Sequence, residues 1–583
     1  MTTTPQFDPS CLLLNQELCN RYLDLQNKLT QTLDPYGITT TLFKVQRAWS
    51  QHPREALAAS QHLLREWQAL QQHSWKRAFG LPSEDVVPTN PEDTRFNDPV
   101  WRDSAYWDII KQWYLLYTHW LQDHLYETPG ISEQERRRGA FWMRKWLNAV
   151  APTNFFALNP TAQQKFIESR GQSLLNGLQL FLQDMREGDI SMTDKRPFKV
   201  GGNLATTPGQ VVFRNHLLEV IQYAPTTEKV QAVPIVIVAP WINKYYILDL
   251  TSKKSLVKWL TDQGFSVFIT SWKNPDAQMS EVTFDDYIAD GIDQIVKVAC
   301  SISKSKQVNL AGYCLGGTGV AIYMAWLAKK FAKAEDMPVA SWTLFTTLTD
   351  FSQAGDIEVF IDEGGLEAIY RNMDQKGYLD GKEMASSFRM LRSNSLIWHY
   401  WVHNYLYGET PPAFDVLYWN MDTTRMPAKM HKYYLREFYL DNRLKQPDAL
   451  TIGGEKIDLG QIQVPLFAVG CEEDHIAPWA QTFRICNFVS GPARYTLSSS
   501  GHILGIVNPP VNPPKRKFWS ADAQRADTPD SWRERTQPEA GSWWDTWKAW
   551  LLPYSGAQVA PPAPGNRSYR KLEAAPGSYV LEK

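Results

Sequence analysis

Seven residues constrain this chain more than any other stretch. Gly312-Tyr313-Cys314-Leu315-Gly316-Gly317-Thr318 follows a short apolar run at 308–311 and precedes a long one at 319–328. The spacing G-x-Cys-x-G between a strand and a helix describes a sharp turn that holds a nucleophile at its tip. Side chains at 312 or 316 would collide with neighbouring backbone, so glycine is needed there. The Leu315 N–H opens the helix and would serve as one oxyanion donor. The helix N-terminus adds positive potential beside the sulfur.

Such a turn needs an acid and then a histidine downstream. An apolar run at 464–469 leads into Gly470-Cys471-Glu472-Glu473-Asp474-His475, and a run at 493–497 leads into Ser500-Gly501-His502-Ile503. Both sites follow strand ends, where open parallel sheets place their ligands. We read Asp474 as the acid and His502 as the base, with Glu473 and His475 as the rivals. His475 adjoins Asp474, so its ring would struggle to turn back onto that carboxylate and also reach Cys314. The second oxyanion donor is expected in the loop 239–246, at the backbone N–H of Ile242 or of Trp241.

Apolar runs at 234–238, 265–270, 308–311, 342–346, 464–469 and 493–497 alternate with helical patterns. Runs of that kind form a parallel sheet covered on both faces. With the Cys turn they predict an α/β class chain, an α/β-hydrolase fold over 201–583. A mainly helical N-terminal domain is expected over 1–200, for oligomerisation or for binding a surface. The connection from 350 to 463 is too long for one crossover and predicts a cap inserted at about 351–440. The Pro/Ala-rich tail at about 556–583 is expected to lie over the surface or to be partly disordered. Within 161–185, Ile167, Leu174, Leu178, Phe181, Leu182 and Met185 form an apolar stripe. It predicts a helix docked on its own domain, or one that binds a surface or a second copy.

Net charge is −2 with no long basic block, which excludes a nucleic-acid footprint. No apolar stretch is long enough for a transmembrane segment. The first residues show no basic region followed by an apolar run, so no secretory signal is expected. Cys11, Cys19, Cys300, Cys314, Cys471 and Cys486 show no CxxC pairing, so neither disulfides nor a metal site are expected, and a reducing cytoplasm is the simplest setting. The 24 Trp, 25 Tyr and 25 Phe must mostly be core, with some left to face a greasy ligand.

Several stretches together resemble the poly(3-hydroxyalkanoate) synthases, class I-like in length. They are Asn243-Lys244-Tyr245-Tyr246-Ile247-Leu248-Asp249-Leu250, Ser271-Trp272-Lys273-Asn274-Pro275, the Cys turn, and Glu473-Asp474-His475-Ile476-Ala477-Pro478-Trp479. Gly501-His502-Ile503, Phe414-Asp415-Val416-Leu417-Tyr418-Trp419-Asn420 and Gly541-Ser542-Trp543-Trp544 complete the set. The resemblance implies that Cys314, Asp474 and His502 are catalytic. It implies an (R)-3-hydroxyacyl-coenzyme A substrate, a polyester product and storage granules in the cytoplasm. Coenzyme A is then part of the substrate and a product, and no cofactor is implied. A homodimer is implied, with Trp419 matching a residue associated with dimerisation, and granule-associated proteins are further partners. Arg392 lies in a family cap motif and could meet a coenzyme A phosphate. Trp241, His475 and Asp249 are further candidates for substrate contact. The chain departs from many relatives at Ala239-Pro240-Trp241.

Cysteine suits such chemistry. A thiolate attacking a thioester makes another thioester, a nearly thermoneutral exchange, whereas a serine ester would lie lower and release its acyl group less readily. Two other readings share features with this one. A thioesterase or polyester hydrolase would have the same turn and triad, and a granule coat protein could keep the fold without the chemistry.

Overall fold

A computed structural model describes residues 38–90 and 93–583, so the N-terminal reading, Cys11 and Cys19 lie outside the described residues. The chain forms two compact units. One comprises the described residues up to Ile190 together with Asp362–Ile369 and Arg392–Thr410; the other comprises Ser191–Ile361, Tyr370–Leu391 and Pro411–Lys583. The stretch expected as a single cap is therefore divided between them. Among the described residues, no helix is long and apolar enough to cross a membrane.

The first unit is helical, with Ile38–Gln51, Pro53–Ala78, Ala105–Tyr126, Glu133–Ala149, Pro160–Glu168 and Gln172–Glu187 as its main helices. The Glu133 helix starts with a reciprocal capping box between Ser132 and Glu135. Leu70, Trp101, Leu115 and Leu116 form a buried cluster. The stripe expected as one helix is two, because Arg170 and Gly171 take positive φ of 53° and 87° and break it. On the second helix Gly177 lies against the Tyr405 carbonyl, where a Cβ could not fit, and Tyr405 Oη donates to Asp184 Oδ2 at 2.6 Å. That face is docked. Leu175, Leu178, Leu182 and Met185 are exposed, Met185 at 66%.

The second unit is built on an eleven-stranded sheet. In chain order its strands are β1 Gly209–Arg214, β2 Leu218–Tyr223, β3 Ile235–Val238, β4 Val267–Trp272, β5 Val308–Tyr313 and β6 Val339–Phe345. They continue as β7 Leu466–Cys471, β8 Ala493–Ser498, β9 Lys517–Ala523, β10 Pro538–Ala540 and β11 Glu573–Ala574. The spatial order is β10-β9-β8-β7-β6-β5-β3-β4-β2-β1-β11. From β4 to β8 the neighbours are parallel, and these six strands are the six apolar runs of the sequence. The outer strands are antiparallel.

The outer strands escaped the sequence reading for a physical reason. β2 carries Glu219 and Gln222 at fully buried positions, which breaks an apolar pattern. Their partners come from β1 and from the distant tail. Glu219 accepts from Arg214 Nε at 2.8 Å and from the Tyr579 N–H at 3.1 Å, and Gln222 donates to the Ala563 carbonyl at 3.1 Å. The tail is thereby ordered: it supplies β11, and Val580 is buried.

Two tryptophans brace the loop after β8 and a third reaches β6. Trp543 Nε1 donates to the Gly505 carbonyl at 2.8 Å, Trp544 Nε1 to the Ile506 carbonyl at 2.9 Å, and Trp547 Nε1 to Thr343 Oγ1 at 3.0 Å, all three rings fully buried. Trp543→Phe keeps most of the ring and orphans one buried carbonyl, which should cost about 1–3 kcal/mol. A lower midpoint in urea unfolding checks this; an unchanged midpoint would remove the bracing role.

Candidate active site

The parallel strands end together. Register pairs Val238 with Gly312, Tyr313 with Phe345, Phe345 with Val469, and Cys471 with Ser498, so the segments that follow β3, β5, β7 and β8 meet at one edge. Cys314 follows β5 directly. Its backbone stands at φ 52°, ψ −121°, a conformation costly for a side chain other than glycine. Its N–H donates to the Phe345 carbonyl at 2.9 Å, and its carbonyl accepts from the Thr318 N–H at 3.0 Å. The chain then enters the helix Leu315–Lys330, buried as far as Leu327. The turn requires its glycines because a Cβ on Gly312 would come 2.5 Å from the Gly317 Cα, and one on Gly316 would come 2.5 Å from the Val238 carbonyl oxygen. Leu315 is the first helical residue, so its N–H has no acceptor in a preceding turn.

Asp474 and His502 come together beside the sulfur. His502 Nδ1 lies 2.6 Å from Asp474 Oδ2, with the carboxylate fully buried. Asp474 Oδ1 accepts from the N–H groups of Ile476 and Ala477, both at 2.9 Å, so neither oxygen is left over. The Cys314 side chain is near enough to His502 to act on the imidazole. With Nδ1 on the carboxylate, Nε2 is the nitrogen that faces the sulfur. Burial on its own would push the imidazole pKa down. The charges of Asp474 and Cys314 and the hydrogen bonds to both outweigh it and lift it to about 10. The Tyr313 ring stacks on the imidazole at 5.7 Å, and its hydroxyl donates to the His502 carbonyl at 3.1 Å. At the other described cysteines, Cys300, Cys471 and Cys486, burial raises the thiol pKa.

The rivals fall elsewhere. Glu473 is exposed. The His475 carbonyl is pressed against Gly355, where a Cβ would come within 2.6 Å of it, and the Asp474 oxygens are taken up without the His475 ring. Asp249 is buried and accepts from Ser255 Oγ at 2.7 Å and from both the hydroxyl and the N–H of Thr207. Burial, against those hydrogen bonds, raises its carboxyl pKa to about 6. Its contacts join three backbone segments. Arg392 is an exposed residue of the helical unit. Trp419 is buried, its indole donating to the Lys244 carbonyl at 2.7 Å.

The loop after β3 lies beside the Cys turn, since the Ala239 carbonyl also approaches Gly316 and the Trp241 ring approaches Gly319. Trp241 is buried among Trp272, Tyr287 and Phe284. Three residues near the turn had no signal in the sequence. Thr424 donates from Oγ1 toward the carbonyls of both Trp241 and Ile242, at 2.9 and 2.6 Å. Tyr434 and Tyr439, hydrogen-bonded to each other, lie close enough to Cys314 to feel its charge; burial first, and that charge next to it, raise both phenol pKa values. Phe351 packs on Tyr439 at 4.8 Å and Phe438 packs on Tyr434 at 5.5 Å, which makes an aromatic cover.

Comparison with known proteins gives the family of the chain. Residues 92–260 match the family described as poly-beta-hydroxybutyrate polymerase (PhaC) N-terminus, and residues 246–509 match the alpha/beta hydrolase fold. The chain is 42% identical to the poly(3-hydroxyalkanoate) polymerase subunit PhaC of Cupriavidus necator, over 90% of this chain and 88% of that one. It is 40% identical to the poly(3-hydroxyalkanoate) polymerase of Methylorubrum extorquens, over 94% and 90%. It is 37% identical to the corresponding PhaC subunit of Rhizobium etli, over 96% and 88%. The chain belongs to the poly(3-hydroxyalkanoate) polymerase family.

Proposed function

We propose that this chain polymerises (R)-3-hydroxyacyl-coenzyme A, short-chain thioesters such as 3-hydroxybutyryl-coenzyme A, into poly(3-hydroxyalkanoate) through a covalent thioester at Cys314. The observation that carries the reading is the contact of Cys314 with a His502 held by Asp474, in a chain of this family.

His502 Nε2 holds the proton taken from the thiol, and Sγ attacks the acyl carbonyl. The N–H groups of Leu315 and Ile242 donate to the oxyanion. The bond to the coenzyme A sulfur breaks, that sulfur leaves with the proton from His502, and the acyl group stays on Cys314. Next, the 3-hydroxyl of one acyl unit gives up its proton and attacks the thioester of another. A C–O bond forms as a C–S bond breaks, and the released sulfur takes the proton. The Asp474 hydrogen bonds support an orienting role, since one oxygen fixes Nδ1 and the other is fixed by two N–H groups. Coenzyme A arrives and leaves as part of this exchange, and the steps need no cofactor. Water at the thioester would yield free hydroxy acid, and the aromatic cover of Phe351, Tyr434, Phe438 and Tyr439 suits its exclusion.

The reading extends to a cytoplasmic granule surface. Leu175, Leu178, Leu182 and Met185 face solvent along one helix, an apolar stripe suited to a polyester surface. The resemblance also supports a homodimer. The buried Trp419 would influence such an interface through its bond to Lys244 rather than by direct contact.

Three outcomes test the reading. With (R)-3-hydroxybutyryl-coenzyme A, the wild type should release thiol and form long polymer, and Cys314→Ala should lose both by at least about 1,000-fold. Short free acid as the sole product would instead make the chain a thioesterase, and thiol release surviving in Cys314→Ala would overturn the nucleophile. The His502 pKa, lifted from 6.5 to about 10 in the fold, stabilises fully below about 6.5, and this stabilisation is lost as the pH rises through 10. The melting-temperature gap between wild type and His502→Gln should therefore narrow from pH 6.5 toward pH 10; a gap that widens contradicts the charged pair. Leu178→Glu with Leu182→Glu should weaken adsorption to a polyester film severalfold while thiol release from soluble substrate stays within twofold. Undiminished adsorption would leave the stripe without this role.

A further inference from the structure

We infer that Thr424 is a positioning residue for the oxyanion site, aiming the Ile242 N–H by holding the carbonyl on the same peptide. The inference rests on the reading that the Ile242 N–H receives the oxyanion.

A trans peptide is planar, and its C=O and N–H point in opposite directions. The Trp241 carbonyl and the Ile242 N–H belong to one such unit. Thr424 Oγ1 lies 2.9 Å from that carbonyl oxygen and 2.6 Å from the next one, of Ile242, so one hydroxyl proton is shared between two consecutive carbonyls. Pinning both oxygens on one side turns the Ile242 N–H to the other. The geometry needs a hydroxyl at 424: a methyl there would leave two carbonyls without this donor, free to rotate the peptide.

Thr424 is itself held. It is buried, and its backbone carbonyl packs against Gly381, where a Cβ would come within 2.6 Å. Its neighbour Thr423 pairs with Asn243 in an antiparallel bridge, and the N–H of Arg425 donates to Asn274 Oδ1 at 2.9 Å. Two residues earlier, Asp422 pairs with Lys244 at 3.0 Å and accepts from Tyr246 Oη at 3.0 Å. The hydroxyl is thus delivered by a segment tied to the same loop on both sides. No local pattern in Met421-Asp422-Thr423-Thr424-Arg425 signals this, because its partners lie 182 and 183 residues away.

Thr424→Val and Thr424→Ser test it, with thiol release from (R)-3-hydroxybutyryl-coenzyme A as the readout and thermal melting as the check on folding. Misaimed by a fraction of an ångström to an ångström, an oxyanion donor costs about 10- to 100-fold. Thr424→Val should lose that much in kcat with KM within about twofold, and Thr424→Ser should restore most of it. A valine variant within twofold of wild type, a serine variant as impaired as the valine, or a loss confined to KM would each overturn the inference. The readout separates this failure from that of the polymerase reading. Free acid in place of polymer would sink the latter, while the Thr424 comparison would still report on acyl transfer to Cys314.

Discussion

The structure depends on one strained backbone position. Cys314 at φ 52° carries a cost of about 1–3 kcal/mol, and such strain persists only where the surroundings over-determine it. Here they do. β5 is buried along its whole length between β3 and β6, the Cys314 N–H is tied to Phe345 on β6, and the following helix is packed against strand ends so closely that Gly312 and Gly316 admit no side chain. The rigidity of the central sheet is what holds the sulfur out at the strand edge. The rest of the second unit then brings groups to it: the acid after β7, the histidine after β8, and a peptide after β3.

Much of this was readable in the chain, because the residues concerned carry their own environment with them. The six parallel strands are buried on both faces and so appear as unbroken apolar runs. Gly312, Gly316, Asp474 and His502 sit at strand ends in an order that the turn itself demands. Where a residue's environment is supplied from afar, the reading failed. Glu219 and Gln222 look like surface residues until the tail, more than three hundred residues later, is seen to satisfy them. Asp249 stands in a motif and looked ready to meet substrate, yet its oxygens are occupied by Thr207 and Ser255. The stripe at 161–185 fitted one helix by period, and only the positive φ at Arg170 and Gly171 divides it.

Histidine choice illustrates how geometry decides between residues that composition leaves equal. His475 and His502 both follow a strand end near the same carboxylate. A carboxylate has two oxygens, and Asp474 commits one of them to the N–H groups at 476 and 477, in the very turn that carries His475. That turn points the remaining oxygen outward, toward the next strand's loop, and His502 takes it. Adjacency in sequence thus works against His475: the backbone that links it to Asp474 is the backbone that caps the carboxylate.

The loop after β3 poses the opposite problem from the Cys turn, since its strand pairing is an isolated bridge from Asn243 to Thr423. Its stiffness comes from three distant segments. Lys244 is buried, and burial lowers its pKa while Asp422 works against that. Its ammonium donates to the Val580 and Glu582 carbonyls at 2.7 and 2.8 Å and pairs with Asp422 at 3.0 Å, so three directed contacts match three N–H groups. Arg425 reaches the same tail, donating to the Lys583 carbonyl at 2.8 Å, and the Asn274 N–H donates to Glu582 Oε2 at 3.2 Å. An ammonium in such a place cannot give up two acceptors without exposing an unpaired buried charge, a strongly unfavourable state. The loop, the 419–425 segment and the tail therefore hold or loosen as one block. With the proposed role of the Ile242 N–H, a donor peptide set in such a block is fixed before substrate arrives, which is what electrostatic stabilisation of a transient oxyanion requires, because a donor that must reorient during the reaction contributes little to lowering its barrier.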